Sequence, residues 1–375
     1  MSETTNTPTV TIIGGPSATL SRTRRVITDG AAWSGVGGVL AGGFGIEAVK
    51  SVMTHSPAGR WLFVLGCLVG LASMSVGGWL RVRASARTQI GLVVTASDTG
   101  RGAQRAHSLE NKAIEYSQKT CAITVQTHLK LPETHPWPKR GIDALADETV
   151  AAAGIADRLA NGAARINVIP TMPLPAGFRF GARLGHTHSH EITLHAIRQR
   201  DGNPSHFPAT SLRESPITAE VLVMEPVETI EGGDPTRAAL AIDLQNLRAD
   251  FAQPVRAACR QHGIGNLLIF SRKTTGPLDE NAKTYTAIVE QVCRAWRGVP
   301  LSVTARTGQH AVFLTGPVAI SIALGARLAH IQPDRWTAFT FDNASSTYEP
   351  FPAEAARRHS SHGDNSESAD PSSGG

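Results

Sequence analysis

The chain has 375 residues, 41% hydrophobic and 18% charged, with a formal net charge of +5. That length accommodates two globular units plus an accessory segment, and the apolar fraction excludes a wholly disordered polypeptide. The small positive excess admits an anionic ligand but not the basic stripe of a duplex nucleic-acid binder. The four scattered cysteines, Cys67, Cys121, Cys259 and Cys293, exclude a disulfide framework or a zinc motif and fit a reducing cytoplasm.

A polar segment, residues 1–29, comes first. Residues 30–49 and 61–80 are then each twenty residues long, and Glu47 is the only full charge in either. About twenty apolar residues at the helical rise cross the hydrocarbon core of a bilayer, so residues 30–83 are predicted to form a transmembrane hairpin. Arg22, Arg24 and Arg25 precede it, Arg81, Arg83 and Arg87 follow it, and the turn holds only Lys50 and Arg60. The positive-inside rule then places the amino terminus and the large downstream domain in the cytoplasm of a multi-pass inner-membrane protein. Gly38 with Gly42, Gly66 with Gly70, and Ser73 with Gly77 are small pairs that let helices approach closely in lipid. A buried soluble hairpin stays open as an alternative because the first span is glycine-rich. A cleaved signal fits poorly behind about thirty polar residues.

Residues 87–200 read as a first α/β unit. It has strand 90–97, helix 103–117, strand 121–127, helix 143–160, strand 165–169, helix 176–184 and strand 192–197. Five prolines, Pro204, Pro208, Pro216, Pro226 and Pro235, mark residues 201–236 as a connection. Residues 237–352 repeat the succession at 238–244, 248–262, 266–270, 281–296, 310–314, 318–329 and 337–341. Short apolar strands alternating with longer helices imply right-handed crossovers and largely parallel sheets, so the predicted class is α/β with two Rossmann-like units in tandem. The Ser, Gly, Asp and His content of residues 353–375 predicts a disordered tail.

A duplication supports the two-unit reading. Thr171-Met172-Pro173 leads into Gly181-Ala182-Arg183-Leu184-Gly185-His186. After 315 − 171 = 144 residues, Thr315-Gly316-Pro317 leads into Gly325-Ala326-Arg327-Leu328-Ala329-His330. Seven aligned positions are identical in a sixteen-residue window where chance gives roughly one. Two copies of one unit are expected to face each other across a pseudo-twofold axis with a cleft between them.

In open parallel sheets a ligand sits outside the carboxyl ends of the strands, where helix amino termini favour anions. The residues there are Ser97, Asp98, Thr99 and Arg101 after the first strand, and Gln245, Asn246 and Arg248 after its counterpart. Gln126 and His128 with Ser271, Arg272 and Lys273 follow the next strand pair, and Thr171 and Pro173 with Thr315, Gly316 and Pro317 complete the set. Donors and cations of this kind suit phosphates and base edges, although Ser, Thr, Asp and Asn also simply cap helices. Arg183 and Arg327, near helix carboxyl ends, read as structural. His186, His188 and His190 alternate without a cysteine or paired acid, so no metal site is expected. The absence of HExxH, nucleophile-elbow, P-loop and GxGxxG words points to no catalytic residue and to a sensor.

The two halves, the repeated strand-Pro-helix-Gly-Ala-Arg-Leu block, and the strand 336–341 followed by Ser345-Ser346-Thr347-Tyr348-Glu349-Pro350 resemble the SAVED domain. That family fuses two CARF-like units, and the resemblance covers about residues 89–352. With two spans in front, the chain is similar to the two-transmembrane SAVED effectors of CBASS antiphage systems. The resemblance implies that a CD-NTase-type nucleotidyltransferase makes a cyclic di-, tri- or tetranucleotide, the ligand of the cleft, with no further cofactor. Binding would favour a homo-oligomer, and clustered spans would disrupt membrane lipid, ending infection with the host cell. A ring nuclease that degrades the cyclic signal, or a membrane-tethered scaffold without a nucleotide ligand, are the alternatives.

Overall fold

The computed structural model describes residues 8–14, 65, 68–76, 89–98, 103–131, 139–159, 165–186, 188, 190–200, 203–247, 249–274 and 276–351. The first lobe is a six-stranded sheet of β1 (Thr9–Gly14), β2 (Gln89–Asp98), β3 (Ile123–Leu131), β4 (Arg165–Thr171), β5 (Glu191–Arg200) and β6 (Asn203–Ser211). Their order is β1-β3-β2-β4-β5-β6. The inner four are parallel, and β1 and β6 close the edges in antiparallel fashion. Helices α1 (Ala103–Thr120), α2 (Lys139–Leu159) and α3 (Leu174–Leu184) connect the parallel strands.

The second lobe repeats this plan with β7 (Leu222–Met224), β8 (Glu228–Thr229), β9 (Asp234–Asp243), β10 (Ile264–Arg272), β11 (His310–Thr315), β12 (Trp336–Asp342) and β13 (Thr347–Phe351). Their order is β13-β12-β11-β9-β10-β7, with β8 also on β10. Its helices are α4 (Ala249–Gln261), α5 (Ala282–Gly298), α6 (Val303–Thr307) and α7 (Val318–Leu324). The parallel quartets β3-β2-β4-β5 and β10-β9-β11-β12 have the same order, each with an antiparallel strand beside the last member. Chain direction reverses across the sheet between β2 and β4 and between β9 and β11, which are the topological switch points.

Strand alternation distributes the core. On β9, Leu240 and Ile242 join a buried cluster shared with the first lobe, whereas Ala239 and Ala241 pack outward with Phe251 and Val255 of α4. On β2, Leu92 and Val94 belong to the shared cluster, and Val93 faces Ala113 of α1. Period-two alternation with both faces covered is what a parallel sheet between helical layers requires. Helix boundaries follow local chemistry. Pro173 and Pro317 stand at the N-caps of α3 and α7, and the Asn281 side chain accepts from Thr284 N at the start of α5. Gly185, at φ 74, ends α3 with its N–H on the Gly181 carbonyl.

The sequence signature that is duplicated forms the joint between lobes. The Gly181 Cα lies so near Ile322 that an added Cβ would stand 2.0 Å from its carbonyl oxygen, and Gly325 bears the same relation to Phe178. Subtracting 144 from 325 and 322 gives 181 and 178, so the two contacts are symmetry mates. Ser321 Oγ donates to the Leu174 carbonyl at 2.7 Å, and its mate Gly177 lies against Val318. Small residues let the two helix backbones touch.

Several expectations need correction. The predicted polar segment 1–29 contributes β1 to the first sheet, and the predicted connection 201–236 contains β6, whose prolines occur on an edge strand. The expected continuous helix 318–329 is α7 followed by a π-helical turn, Gly325–Ala329, at the point where Gly325 meets Phe178. The predicted span 30–49 and the tail 353–375 lie outside the described residues. Of the predicted span 61–80, residues 68–76 are helical, and Leu68, Val69, Leu71, Met74 and Val76 are exposed. Among the described residues no helix is long and apolar enough to cross a membrane.

Candidate functional site

Two groups of polar residues occupy the carboxyl ends of the parallel strands. In the second lobe, Thr315 Oγ1 at the end of β11 donates to Asp243 Oδ1 at 3.1 Å and accepts from the Leu244 and Gln245 amides at 2.9 and 3.2 Å. This network ties the β9 and β11 ends together across the switch point. Gly316 has φ 122, and a Cβ there would be 2.8 Å from that of Leu244, so only glycine fits. The first-lobe mate of Gly316 is Met172, which makes the two crevices unequal from the outset.

Beside this network is a 560 Å³ cavity lined by Leu244, Gln245, Arg272, Pro277, Leu278, Asp279, Glu280, Tyr285, Gly316 and Pro317, with Ile197 of β5 supplied by the first lobe. Arg198 closes the same seam, donating to the Glu280 carbonyl oxygen. Arg272 is 8% exposed, and its guanidinium donates to Thr274 Oγ1 at 3.2 Å and to the Gly276 carbonyl oxygen. Among the described residues no carboxylate pairs with it. A buried cation held only by neutral acceptors retains most of its attraction for an anion. Burial, with the charge of Glu280 added, raises the Tyr285 phenol well above its ordinary range, so it is a neutral donor in this wall.

In the first lobe the corresponding rim is organised differently. Val93, Thr95 and Ser97 share one face of β2, the face covered by α1, and Gln126 and His128 share that face of β3. His128 Nδ1 lies 2.8 Å from Glu110 Oε1, which also accepts from Gln126 Nε2 at 2.9 Å, and Ser97 Oγ lies 3.2 Å from His128 Nε2. Glu110 is 3% exposed. Burial alone would raise its pKa, but the His128 and Gln126 hydrogen bonds and the His128 charge outweigh this and hold it below the usual carboxylate range.

The predicted set thus divides. Gln245, Arg272, Gly316 and Pro317 line one cavity, and Thr315 braces it. Ser97, Gln126 and His128 converge on Glu110 instead, on the α1 side of the first sheet and not in the groove between lobes. Thr171 is buried with its hydroxyl unpartnered, and Pro173 caps α3. Lys273 is 3.6 Å from Glu220 at the surface, Ser271 pairs with Val223 in the sheet, and Asn246 adopts φ 62. Asp98 ends β2, whereas Thr99, Arg101 and Arg248 lie outside the described residues. Sequence reasoning missed Glu110, Glu280 and Tyr285, which lie within helices or loops away from strand ends.

The repeated arginines are structural. Arg183 forms a bidentate pair with Asp147 at 2.8 Å in the open, and Arg327 pairs with Glu290 at 2.9 and 3.1 Å where its side chain is 1% exposed. Among the described residues no cluster of three ligating side chains could hold a metal. A larger cavity of 860 Å³ lies at the opposite, amino ends of β9, β11 and β12, lined by Arg237, His310 and Trp336. Two other cations lining it, Lys139 and Arg179, are neutralised by Asp334, with Asp143 also on Arg179. Position at the carboxyl ends of the strands favours the smaller cavity as the ligand crevice, with Asp279 and Glu280 lining it beside Arg272.

No protein-family model matches the sequence, and neither does any curated protein. Among solved structures the chain is similar to an Acinetobacter baumannii Cap4 SAVED/CARF-domain containing receptor with the cyclic trinucleotide 3'3'3'-cAAA, at 10% identity and a TM-score of 0.40 over 78% of this chain and 60% of that one. The same receptor with 2'3'3'-cAAA gives 10% identity and 0.41, over 78% and 58%. A Moraxella osloensis Cap4 receptor gives 12% and 0.36, over 57% and 42%. The chain therefore spans about 60% of the length of the first of these, and the architecture described above rests on its own strand order and duplication.

Proposed function

We propose that this chain is a SAVED-type receptor for a cyclic oligonucleotide, anchored to the bacterial inner membrane by residues 30–83, with the two lobes in the cytoplasm. The observation that carries the reading is the 560 Å³ cavity at the second switch point, which joins the Arg272 guanidinium, without a carboxylate partner among the described residues, to Gln245 and the Gly316 turn. A backbone that must be glycine lets a phosphate approach closely, the arginine supplies charge, and Tyr285 and Gln245 supply donors for sugar or base edges. The ligand is a product of a CD-NTase-type nucleotidyltransferase, and cyclic di-, tri- and tetranucleotides all belong to the class.

Binding selects one arrangement of the lobes, and by linkage it drives homo-oligomer assembly only as far as that arrangement binds more tightly. Assembly concentrates the tethered spans, and their crowding disrupts the membrane lipid, so that the infected cell dies before releasing phage. The exposed apolar side chains of residues 68–76 support an environment other than water for that helix. The solved receptors' ligands, 3'3'3'-cAAA and 2'3'3'-cAAA, are suitable first probes. Calorimetric titration of the full chain in detergent, with a panel of cyclic di-, tri- and tetranucleotides, tests the proposal. Micromolar or tighter binding by one member, with dye release from vesicles carrying the chain only when that member is added, is expected. Release without ligand, or no heat with any member, rejects it.

A further inference from the structure

The geometry points to a second, chemically distinct site in the first lobe: a Ser97–His128–Glu110 relay that hydrolyses carboxylic esters. Three elements supply it, β2, β3 and α1, so no contiguous motif contains it. The Glu110 carboxylate accepts, so in the tautomer of His128 with a single ring proton that proton is on Nδ1, 2.8 Å away. His128 Nε2 then presents a lone pair, and the group within reach is the Ser97 hydroxyl at 3.2 Å. Nucleophile, base and orienting carboxylate are thus connected in the order that acyl transfer uses. Gln126 Nε2, at 2.9 Å on the same carboxylate oxygen, fixes the orienting group in turn.

Position supports chemistry here. Ser97 is the penultimate residue of β2 and is followed by α1, the strand-then-helix placement that exposes a nucleophile at the carboxyl edge of a parallel sheet. His128 is 24% exposed while Glu110 is 3% exposed, so the base reaches solvent and the orienting acid does not. Among the described residues, few charges stand nearby. His107 stands 3.8 Å from the other Glu110 oxygen and is mostly exposed, and Lys130 is the register partner of Ser97. The duplicated lobe lacks the relay. Registration through Thr95–Thr171 and Asp243–Thr315 makes Ser271 the mate of His128 and Gln245 the mate of Ser97.

The step balances without a cofactor. Ser97 Oγ adds to the ester carbonyl carbon as its proton passes to His128 Nε2, and the same proton goes to the departing alkoxide, leaving an acyl-serine. Water then attacks that carbonyl, giving a proton to Nε2 that returns to Oγ, so ester and water become acid and alcohol. Ser97 and His128 are the catalytic residues, and Glu110 is a positioning residue. The site faces α1 and is separate from the cavity assigned to the nucleotide, so either assignment can fail alone.

A fluorophosphonate probe and 4-nitrophenyl acetate test this on the full chain in detergent. Oγ displaces fluoride from the probe and acquires its phosphonyl mass. We expect one label on Ser97, none in Ser97→Ala, and a labelling rate at least about 10²-fold lower in His128→Ala. Glu110→Gln should label more slowly at a urea midpoint that shows it folded. Ser97→Ala removes one oxygen from a partly exposed position, so its loss of labelling and of ester turnover cannot be ascribed to unfolding. Labelling no faster than in denatured protein, or at equal rates in His128→Ala, overturns the assignment. So does cleavage of a cyclic trinucleotide to linear product with Ser97 unlabelled, which would give the relay phosphodiester chemistry.

Discussion

Gly181 and Ile322 touch backbone to backbone, and a Cβ on Gly181 would stand 2.0 Å from the Ile322 carbonyl oxygen. Gly325 and Phe178 repeat the contact across the pseudo-twofold axis. A methyl group at either position must push α3 away from the facing helix, and both helices are rooted in the core shared by the lobes. Gly181→Ala and Gly325→Ala should each destabilise the protein by about 1–3 kcal/mol, the range for overpacking. Because one separation relieves both clashes, the double variant should lose less than the sum. Urea unfolding of the three variants measures this, and a Gly181→Ala midpoint equal to wild type would remove the basis for a close helix joint.

Arg183 and Arg327 occupy the same position in the repeat but different media. Arg183 and Asp147 are 48% and 55% exposed, while the Arg327 side chain is 1% and Glu290 10% exposed. Water screens the first pair, so Arg183→Ala should change stability by about 0–1 kcal/mol. Arg327→Ala leaves Glu290 buried without its partner, and such a loss costs about 3–5 kcal/mol. Replacing both, Arg327→Met with Glu290→Leu, should recover most of that. Denaturant midpoints for the three variants decide the matter, and equal losses at both arginines would contradict the burial argument.

The strand and helix order was legible because apolar runs of five to eight residues alternate with longer amphipathic stretches, and the 144-residue repeat fixed the pairing of halves. What escaped is instructive. Strand β6 carries Pro204 and Pro208, which read as a linker, but it is an edge strand whose outer amides need no partner. Strand β1 is six residues, and its strand partner among the described residues, β3, is more than a hundred residues away. The repeat implied two facing units, and the glycines within it, Gly181 and Gly325, are where the two helices meet. Of the residues taken from strand ends, Gln245, Arg272, Gly316 and Pro317 line one cavity. Strand ends could not indicate Glu110, which reaches its partners from the second turn of a helix, because spacing along one element carries no information on which side chains of another it meets.

Arg272 and Lys273 are adjacent cations with opposite expectations. The Arg272 side chain lines the cavity and lacks a carboxylate partner among the described residues, whereas Lys273 is 44% exposed beside Glu220. If a phosphate occupies this cavity, Arg272→Ala should weaken the cyclic oligonucleotide by about 30-fold or more, and Lys273→Ala by less than about threefold. Arg272→Lys should fall between, since a single ammonium cannot reproduce a planar fork. Titration calorimetry at two salt concentrations provides the comparison. Equal effects at both positions would place the ligand elsewhere.

His195 and His206 should make stability depend on pH. Both pack against Tyr116, at ring distances of 5.5 and 5.2 Å, and burial lowers each to about 4, with the His206 charge adding to the effect at His195. In the unfolded chain a histidine titrates near 6.5. Between those values the unfolded state binds protons that the folded state refuses, so stability is full above about pH 6.5 and is lost as pH falls toward about 4. His195, 5% exposed, should alone remove about 2 kcal/mol by pH 5. Carboxylates such as Glu110 and Asp334, whose pKa values are lowered, keep their charge in this window and do not obscure the change. Urea unfolding at pH 7 and pH 5 should show the loss, and His195→Gln, which keeps a polar contact with Asn167 but does not titrate, should reduce it. An unfolding free energy that is flat from pH 7 to pH 5 in the wild type would mean that these rings are already protonated or solvated in the folded protein.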